Sequence, residues 1–372
     1  MAKGLQTWAQ ELLKKADVES NGSRPWDIEV KDDAFYTRVA RQGSLGLGES
    51  YMDGLWDAPA LDQFFHKVLS AHLEDQVRLS LPEIAEFLKA KIVNLQTPSR
   101  AFKVGEQHYD VGNDLYAAML DKRLVYTCGY WQAAQSLDEA QEAKLGLVCR
   151  KLGLKPGQRV LDIGCGWGSF AKFAAEKYGV HVVGVTISKE QVALGQKLCA
   201  GLPVELRFQD YREVNAQFDH IVSLGMFEHV GIKNYRTYME VAARCLKDDG
   251  LFLLHTIGNN TSSTIGDPWI SKYIFPNSIL PSAAQITRAY EGIFVMEDWH
   301  NFGAYYDLTL MAWFHNFDKA WPQLKDEYSD RFYRMWKYYL LSCAGSFRAR
   351  RIQLWQLVLS KKGVPSGYQS IR

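Results

Sequence analysis

The sequence predicts an α/β protein in which a smaller helical N-terminal domain precedes a doubly wound, mostly parallel sheet. Three observations support this fold class. The chain has 372 residues, which is more than one average domain. Its first 95 residues carry apolar side chains at helical spacing. From residue 159 onward, short apolar strands alternate with helical segments, as in βαβ units.

The N-terminal part is predicted to be helical. Leu5, Trp8 and Leu12 recur at helical spacing, and further helices are predicted over 61–73 and 81–93. Between them lies GSLGLGESYMDGLW, whose glycines predict tight turns. NLQTPSR, residues 94–100, predicts a linker. The predicted division is therefore a helical domain over 1–95, a linker over 96–105 and a catalytic domain over 106–372.

The sheet domain begins where the alternating pattern begins. An apolar strand ending in glycine opens it, and a helix follows. Residues 259–291 interrupt the alternation and predict an insertion over the active face. The predicted strands are 159–164, 181–186, 204–208, 218–224, 251–257, 294–299 and 352–360, and the predicted helices are 169–178, 190–200 and 235–246.

Composition limits the functional classes. The 43 basic and 42 acidic residues give a net charge of +1, which argues against a nucleic-acid binder. The six cysteines are scattered without a C-x-x-C pair, which indicates reduced thiols in a cytosolic protein. The sequence predicts neither a signal peptide nor a membrane-spanning segment, and peripheral membrane contact stays open. The aromatic content of 13% suits an apolar substrate or simply an aromatic core.

VLDIGCGWGSF, residues 160–170, predicts the cofactor. A strand delivers its end to Gly164, and Gly166 and Gly168 let backbone N–H groups approach a ligand. A dinucleotide site would use G-x-G-x-x-G and an acid after the second strand, where this chain has Thr186. The pattern is instead typical of the Rossmann-like S-adenosylmethionine (SAM) methyltransferases. After the third strand, Tyr211 follows Asp210 and either stacks on the adenine or packs in the core.

Several motifs are distributed along nearly the whole chain. They are GSLGLGESYMDG, GEQHYDVGNDLY, YTCGYW, VLDIGCGWGSF, VVGVTISKEQ, GMFEHVG, LFLLHTIG, DPWISKYIFPN, MEDWHNFGAYYDLTLMAW and CAGSFRARRIQLWQ. Together they resemble one family, the bacterial cyclopropane-fatty-acyl-phospholipid synthases.

The resemblance implies an activity. A SAM methyl group becomes a methylene bridge across a cis double bond of a phospholipid acyl chain. It also implies a helical N-terminal domain that handles lipid, a homodimer, and a cytoplasmic location at the inner face of the membrane. The cofactor contacts that the resemblance implies are Tyr126, Thr127, Val160, Leu161, Asp162, Ile163, Gly164, Cys165, Gly166, Trp167, Gly168, Thr186, Ile187, Gln191, Tyr211 and Arg212. Relatives often carry Trp-Glu in place of Tyr211-Arg212.

Methyl transfer to an alkene leaves a carbocation, so the site must exclude water, and aromatic faces stabilise positive charge. Tyr130, Trp131, Phe227 and Tyr306 are candidates for such a wall or for plain core. The new methyl group must then lose a proton. The resemblance implies bound bicarbonate as the base, with the ligands Cys128, Glu228, His255, Ile257 and Tyr306.

Donors around such an anion would come from backbone N–H groups, His255 and the Tyr306 hydroxyl, while Glu228 would accept the bicarbonate O–H. Cys128 is therefore interpreted as pocket wall and anion contact, because no step requires a covalent adduct. No metal is expected, since SAM needs no Lewis acid. Cys343 is a weaker active-site candidate or a buried helix cysteine, and the arginines after it meet lipid phosphate or solvent.

Two other functions stay open. One is a methyltransferase of the same fold acting on a different lipid or a small amine. The other is a non-catalytic lipid-binding module, against which the glycine loop and the Glu228, His255 and Tyr306 set argue.

Overall fold

The computed structural model describes residues 2–73 and 112–372. The predicted helix over 81–93, the linker and the domain boundary near residue 95 lie outside the described residues. The described part forms two compact units. The helical unit comprises 2–73, 264–276 and 306–352, and the sheet unit comprises 112–263, 277–305 and 353–372.

The described residues form both helices and strands. The helices are α1 (Ala2–Lys15), α2 (Ala34–Met52), α3 (Leu61–Ser70), α4 (Asn113–Met119), α5 (Leu137–Leu152), α6 (Ser169–Tyr178), α7 (Lys189–Leu198), α8 (Tyr235–Cys245), α9 (Pro268–Tyr273), α10 (Ala283–Tyr290), α11 (Ala304–Leu324) and α12 (Asp330–Arg348). The strands are β1 (Glu29–Val30), β2 (Trp56–Asp57), β3 (Arg159–Ile163), β4 (His181–Thr186), β5 (Val204–Phe208), β6 (Phe218–Leu224), β7 (Leu246–Asn259), β8 (Val295–Asn301) and β9 (Ile352–Ser360).

The glycine-rich stretch 43–56 corrects one prediction. It is helical as far as Met52, with a single break at Gly43, where φ is 55°. The predicted turn is present only after the helix, at Gly54, where φ is 77°. Gly48 faces the Trp269 indole so closely that an added Cβ would lie 2.3 Å from Cδ1. Tertiary packing has therefore overridden the low helix propensity of glycine, because the missing side chains let α9 approach α2.

Glu49, in the same stretch, anchors α9 by charge. Its carboxylate accepts hydrogen bonds from Lys272 Nζ at 2.5 Å, the Tyr273 hydroxyl at 2.8 Å and Arg38 at 2.8 Å. Although burial acts to raise the pKa of Glu49, these hydrogen bonds lower it to about 2. The predicted insertion is thus divided, since residues 264–276 pack in the helical unit and the remainder belongs to the sheet unit.

Residues 306–352, predicted as part of the catalytic domain, pack with the N-terminal helices. An added Cβ at Gly345 would lie 2.6 Å from Phe65 Cβ, so α12 and α3 are in close contact. Arg348 bridges Asp62 at 2.6 Å and Asp307 at 2.8 Å. These ion pairs favour a structural role for Arg348 over a contact with lipid phosphate.

The sheet unit has the predicted fold. Within the described residues, its sheet has seven strands in the order β5-β4-β3-β6-β7-β9-β8. Pairing is parallel from β5 through β7, and β8 pairs antiparallel with β9. The predicted bounds of β4, β5, β6, β9 and α6 are confirmed, whereas β7 is longer than predicted. Apolar cores pack on this sheet. Nine of the candidate site residues lie in β3 and the turn after it, and others lie at the end of β4, after β6 and within β7.

Candidate active site

The glycine turn after β3 has the conformation that close ligand approach requires. Gly164, Gly166 and Gly168 have φ of 81°, 54° and 81°, values that side-chain-bearing residues rarely adopt. An added Cβ at Gly166 would meet nothing within 4 Å, whereas one at Gly164 would lie 2.6 Å from Met226 Cγ. The turn is therefore tightly packed on one side and open at Gly166, which fits a bound SAM. The residues before it, Val160, Leu161, Asp162 and Ile163, are buried in β3.

Aromatic rings lie beside this turn. Tyr116 packs edge-on against Tyr126, with ring centroids 5.2 Å apart, and is tilted against Trp167 at 5.1 Å. The Trp167 indole N–H donates to Asn113 Oδ1 at 3.2 Å. The structure thus brings two predicted cofactor contacts, Tyr126 and Trp167, onto one aromatic neighbour.

The next strand ends in a polar turn. Thr186, the last residue of β4, donates from its hydroxyl to Gln191 Oε1 at 2.8 Å, and Ser188 caps α7. Ile187 lies between Thr186 and Ser188 in the sequence. The arrangement holds the Thr186 and Gln191 side chains together at the carboxyl edge of the sheet, where ligands bind in this fold class.

Tyr211 and Arg212 have partners within the protein. The Tyr211 ring is only 7% exposed and packs against Tyr238, with centroids 5.1 Å apart, and burial raises its pKa to about 12. Arg212 binds the Asp210 carboxylate through Nε at 2.8 Å and Nη2 at 2.5 Å. These contacts support the packing alternative for Tyr211, and its stacking on adenine stays a prediction.

Cys128 is completely buried, and its thiol donates to the Gly129 carbonyl at 3.2 Å. The preceding Thr127 is held by two residues that sequence reasoning missed. Gln141 Nε2 donates to the Thr127 carbonyl at 2.7 Å, and Lys144 Nζ donates to Thr127 Oγ1 at 2.8 Å. Both lie on α5. Ser136, followed three residues later by Glu139, is a sequence pattern typical of a helix N-terminus and could have predicted this helix.

Glu228 lies in a 3₁₀ turn after β6 and is 4% exposed. Its Oε1 accepts the Ile257 N–H at 2.6 Å, so the Ile257 amide already has a hydrogen-bond acceptor within the protein. Its Oε2 is buried and has no hydrogen-bond partner among the described residues. Burial raises the pKa of Glu228 to about 7, although the Ile257 hydrogen bond acts in the opposite direction.

His255, two residues before Ile257 on β7, is 1% exposed. Its Nδ1 lies 3.2 Å from Gln356 Nε2. With the amide nitrogen as donor, Nδ1 accepts and Nε2 carries the proton. Nε2 is buried without a partner in the part of the chain that the structure describes. Burial, reinforced by the charges of Lys144 and Lys151, holds the His255 pKa well below its usual value, so the ring is neutral.

Two candidates, Tyr306 and Cys343, belong to the helical unit. Tyr306 is 7% exposed, stacks on Phe347 with centroids 4.5 Å apart and meets Trp313 edge-on. Cys343 is half-buried in α12, and desolvation raises its thiol pKa to about 12. A thiol with that pKa is a poor nucleophile, which supports the structural alternative for Cys343.

The aromatic candidates in the sheet unit differ in their surroundings. Tyr130 is 6% exposed and packs edge-on against Phe302 and Tyr305. Phe227 is fully buried and stacks on Tyr235 at 4.3 Å within the hydrophobic core, so it is plain core. Across 2–73 and 112–372, no three His, Cys, Asp or Glu side chains are grouped to hold a metal ion. No helix in those ranges has both the length and the apolar content to cross a bilayer.

A mostly parallel sheet whose first strand runs into an open glycine turn is the framework of the class I SAM-dependent methyltransferases, and the protein is an enzyme of this class. The profile of the family described as mycolic acid cyclopropane synthetase matches residues 96–357. The chain belongs to this cyclopropane synthetase family.

Relatives support the assignment. The cyclopropane-fatty-acyl-phospholipid synthase of Escherichia coli K12 is 56% identical over 364 residues, which cover 98% of this chain and 95% of that protein. The cyclopropane synthase MmaA2 from Mycobacterium tuberculosis superposes with a TM-score of 0.67 at 30% identity, covering 72% of this chain and all of that one. Mycolic acid cyclopropane synthase CmaA1, complexed with SAH and CTAB, gives 0.66 at 33% identity, covering 70% and 98%.

Proposed function

We propose that this enzyme transfers the SAM methyl group as a methylene bridge across cis double bonds of phospholipid acyl chains, forming cyclopropane fatty acids. One structural observation carries the mechanism. Glu228 Oε2 and His255 Nε2 are both buried and both lack a partner among the described residues. Orphaned buried polar atoms are costly, so a bound polar group is the expected occupant.

Bicarbonate has the groups that these two atoms require. Its oxygens would accept the His255 Nε2 hydrogen, and Glu228 Oε2 would accept its O–H. When bound, it supplies a compact base for removing the proton from the alkylated chain. The resemblance implies the ligands Cys128, Glu228, His255, Ile257 and Tyr306, and the first four lie in the sheet unit. Because the Ile257 N–H binds Glu228 Oε1 at 2.6 Å, the role of Ile257 is to orient that carboxyl group.

The surrounding residues suit a carbocation on the acyl chain. Cys128 and Tyr130 are buried and bring no charge to the site. His255 is neutral, so its own ring adds no positive charge, although the buried Lys144 ammonium acts on it. Tyr130, Phe302 and Tyr305 form an aromatic cluster whose faces stabilise positive charge and exclude water.

We further propose that the enzyme is cytoplasmic, acts as a homodimer and binds the inner face of the membrane peripherally. The helical unit would handle the lipid. Trp8 on α1 is 40% exposed, and Lys14 and Lys15 lie in the last turn of the same helix. An exposed Trp on a helix that ends in two lysines suits the interface of an anionic bilayer. Sedimentation velocity tests the dimer, for which the expected mass is twice the 42.4 kDa chain.

Incubation of the enzyme with SAM and vesicles of cis-unsaturated phospholipid tests the reaction. The expected product is an acyl chain one methylene heavier that has lost its double bond, as measured by mass spectrometry after hydrolysis. Vesicles of saturated phospholipid are the control and should yield nothing. Methylation confined to headgroups or to added soluble amines would reject the proposal. If calorimetry detects no binding of SAM, the non-catalytic alternative is favoured.

The anion has a separate test. In buffer stripped of carbon dioxide, turnover should fall and should recover as bicarbonate is added. Unchanged turnover in stripped buffer would remove bicarbonate from the proposal while leaving methylene transfer standing.

A further inference from the structure

Helix α5 presents two polar side chains to the interior of the sheet unit. Gln141 and Lys144 are both completely buried, three residues apart on one helical face. They bind the same residue, Gln141 at the Thr127 carbonyl (2.7 Å) and Lys144 at the Thr127 hydroxyl (2.8 Å). Thr127 is therefore fixed through both its backbone and its side chain.

The opposite side of Thr127 is equally constrained. An added Cβ at Gly225 would lie 2.7 Å from Thr127 Cγ2, so the loop after β6 packs directly on it. The Gly225 N–H donates to the His255 carbonyl at 2.9 Å. Further along, the Tyr130 N–H donates to the Ala140 carbonyl of α5 at 2.8 Å. The segment from Thr127 to Tyr130 is thus held between α5 and the ends of β6 and β7.

Lys144 is a buried charged group whose hydrogen-bond partner is an uncharged hydroxyl. Burying an ammonium group costs free energy unless an opposite charge and hydrogen bonds compensate for the lost water. Among the described residues, no carboxylate oxygen lies within 4.0 Å of its Nζ, although the buried Asp121, Asp162 and Cys128 are its electrostatic neighbours. Burial lowers the Lys144 pKa to about 8, so most of the charge persists at neutral pH. The same charge acts on His255.

We propose that Lys144 is a positioning residue for the transfer reaction, with two effects. Its ammonium fixes the Thr127 hydroxyl and with it the backbone of 126–128, which carries cofactor and anion contacts. Its buried positive charge also favours a small anion beside Cys128 and His255. The second effect rests on the proposed bicarbonate site, whereas the first depends only on SAM binding.

Two substitutions separate these effects. Thr127→Val removes the hydroxyl and keeps the charge, whereas Lys144→Met removes both the hydrogen bond and the charge at similar length. SAM affinity by calorimetry should fall about threefold to tenfold in each single variant. The double variant should be no weaker than either single one, because the same bond is already lost. Fully additive losses would overturn the positioning role.

Bicarbonate response measures the charge. In Lys144→Met the half-saturating bicarbonate concentration should rise about tenfold or more, and the bicarbonate-induced increase in melting temperature should shrink. Thr127→Val should keep both close to the parent values. An unchanged bicarbonate response in Lys144→Met, while the parent enzyme responds normally, would overturn the charge effect. A parent enzyme that ignores bicarbonate would instead count against the proposed anion.

Lys151 provides the matched control. It is an equally buried lysine on α5, but it binds Asp298 at 3.4 Å and lies 3.2 Å from His300 Nδ1. Lys151→Met should leave the SAM affinity unchanged. If Lys144→Met fails to fold, Lys144→Arg keeps the charge while displacing the hydrogen bond, and it should weaken SAM binding more than bicarbonate binding. The reverse order would contradict the proposal.

Discussion

Glu228 has one carboxylate oxygen bound to the Ile257 N–H and the other buried without a partner among the described residues. A group of this kind suits orienting a bound base better than accepting a proton from an apolar chain alone. Replacing Glu228 with Ala should therefore lower turnover by about 100-fold or more and leave SAM affinity intact. Turnover with lipid vesicles and calorimetry with SAM measure the two quantities.

Glu240→Ala, on the exposed face of α8 beside Arg236, is the matched control and should behave as the parent enzyme does. Full activity in Glu228→Ala would contradict the role given to Glu228.

The raised pKa of Glu228 also predicts a pH dependence of stability. Its ordinary value is 4.5 and its folded value is about 7. Between pH 4.5 and 7 the unfolded chain releases the Glu228 proton, whereas the folded protein keeps it. The contribution of Glu228 to the free energy of unfolding is therefore fully present below pH 4.5 and is lost as the pH rises through 7. Glu228→Gln should thus gain about 3 kcal/mol over the parent at pH 8 and almost nothing at pH 4.

Urea unfolding of the ligand-free protein at both pH values tests this. Glu49→Gln should behave in the opposite way, because the pKa of Glu49 is lowered to about 2 and its contribution is lost as the pH falls. A gain in Glu228→Gln that does not change with pH would rule out titration of Glu228 as the cause.

At the scale of elements, the contact between α2 and α9 depends on an absent side chain. An added Cβ at Gly48 would lie 2.3 Å from the Trp269 ring, so Gly48→Ala should destabilise the protein by about 1–3 kcal/mol. Denaturant unfolding followed by tryptophan fluorescence measures the change. Gly4→Ala, on α1 with nothing within 4 Å of the new Cβ, should be neutral or slightly stabilising. Equal stability of the two variants would show that the α2–α9 contact yields easily.

Helix α1 is the element proposed to meet the membrane. Trp8→Ala should lower cosedimentation with anionic phospholipid vesicles about tenfold, since burying an aromatic side chain contributes about 1.5–3 kcal/mol. Trp26 is the control, because Arg24 and Lys67 lie over its ring at 5.3 and 4.4 Å. If both substitutions reduce vesicle binding equally, α1 has no special role.

At the scale of the molecule, the proposed SAM contacts all lie in the sheet unit. Adding SAM should therefore slow amide hydrogen exchange around 160–168 and 186–191 and leave α3 and α12 little changed. Saturation at about 100 times the dissociation constant should also stabilise the protein by about 2.7 kcal/mol. Protection confined to the helical unit would place the cofactor elsewhere.

The sequence by itself determined the sheet and the cofactor class. Strand alternation and the glycine turn after β3 are local signals, since burial on both faces of a parallel sheet makes strands continuously apolar and a close ligand demands glycine. The resemblance of its motifs also pointed to the family that the comparisons confirmed.

Only the tertiary structure decided what the remaining polar residues contact. The glycine-rich stretch became a helix because Trp269, more than 200 residues away, packs on it. Residues 306–352 joined the N-terminal helices through long-range ion pairs. Lys144 and Gln141 resemble ordinary helix-surface residues in the sequence, and only their burial against Thr127 distinguishes them. Contacts between distant parts of a chain leave no local periodicity in the sequence. The roles of these residues could therefore be inferred only from the tertiary structure.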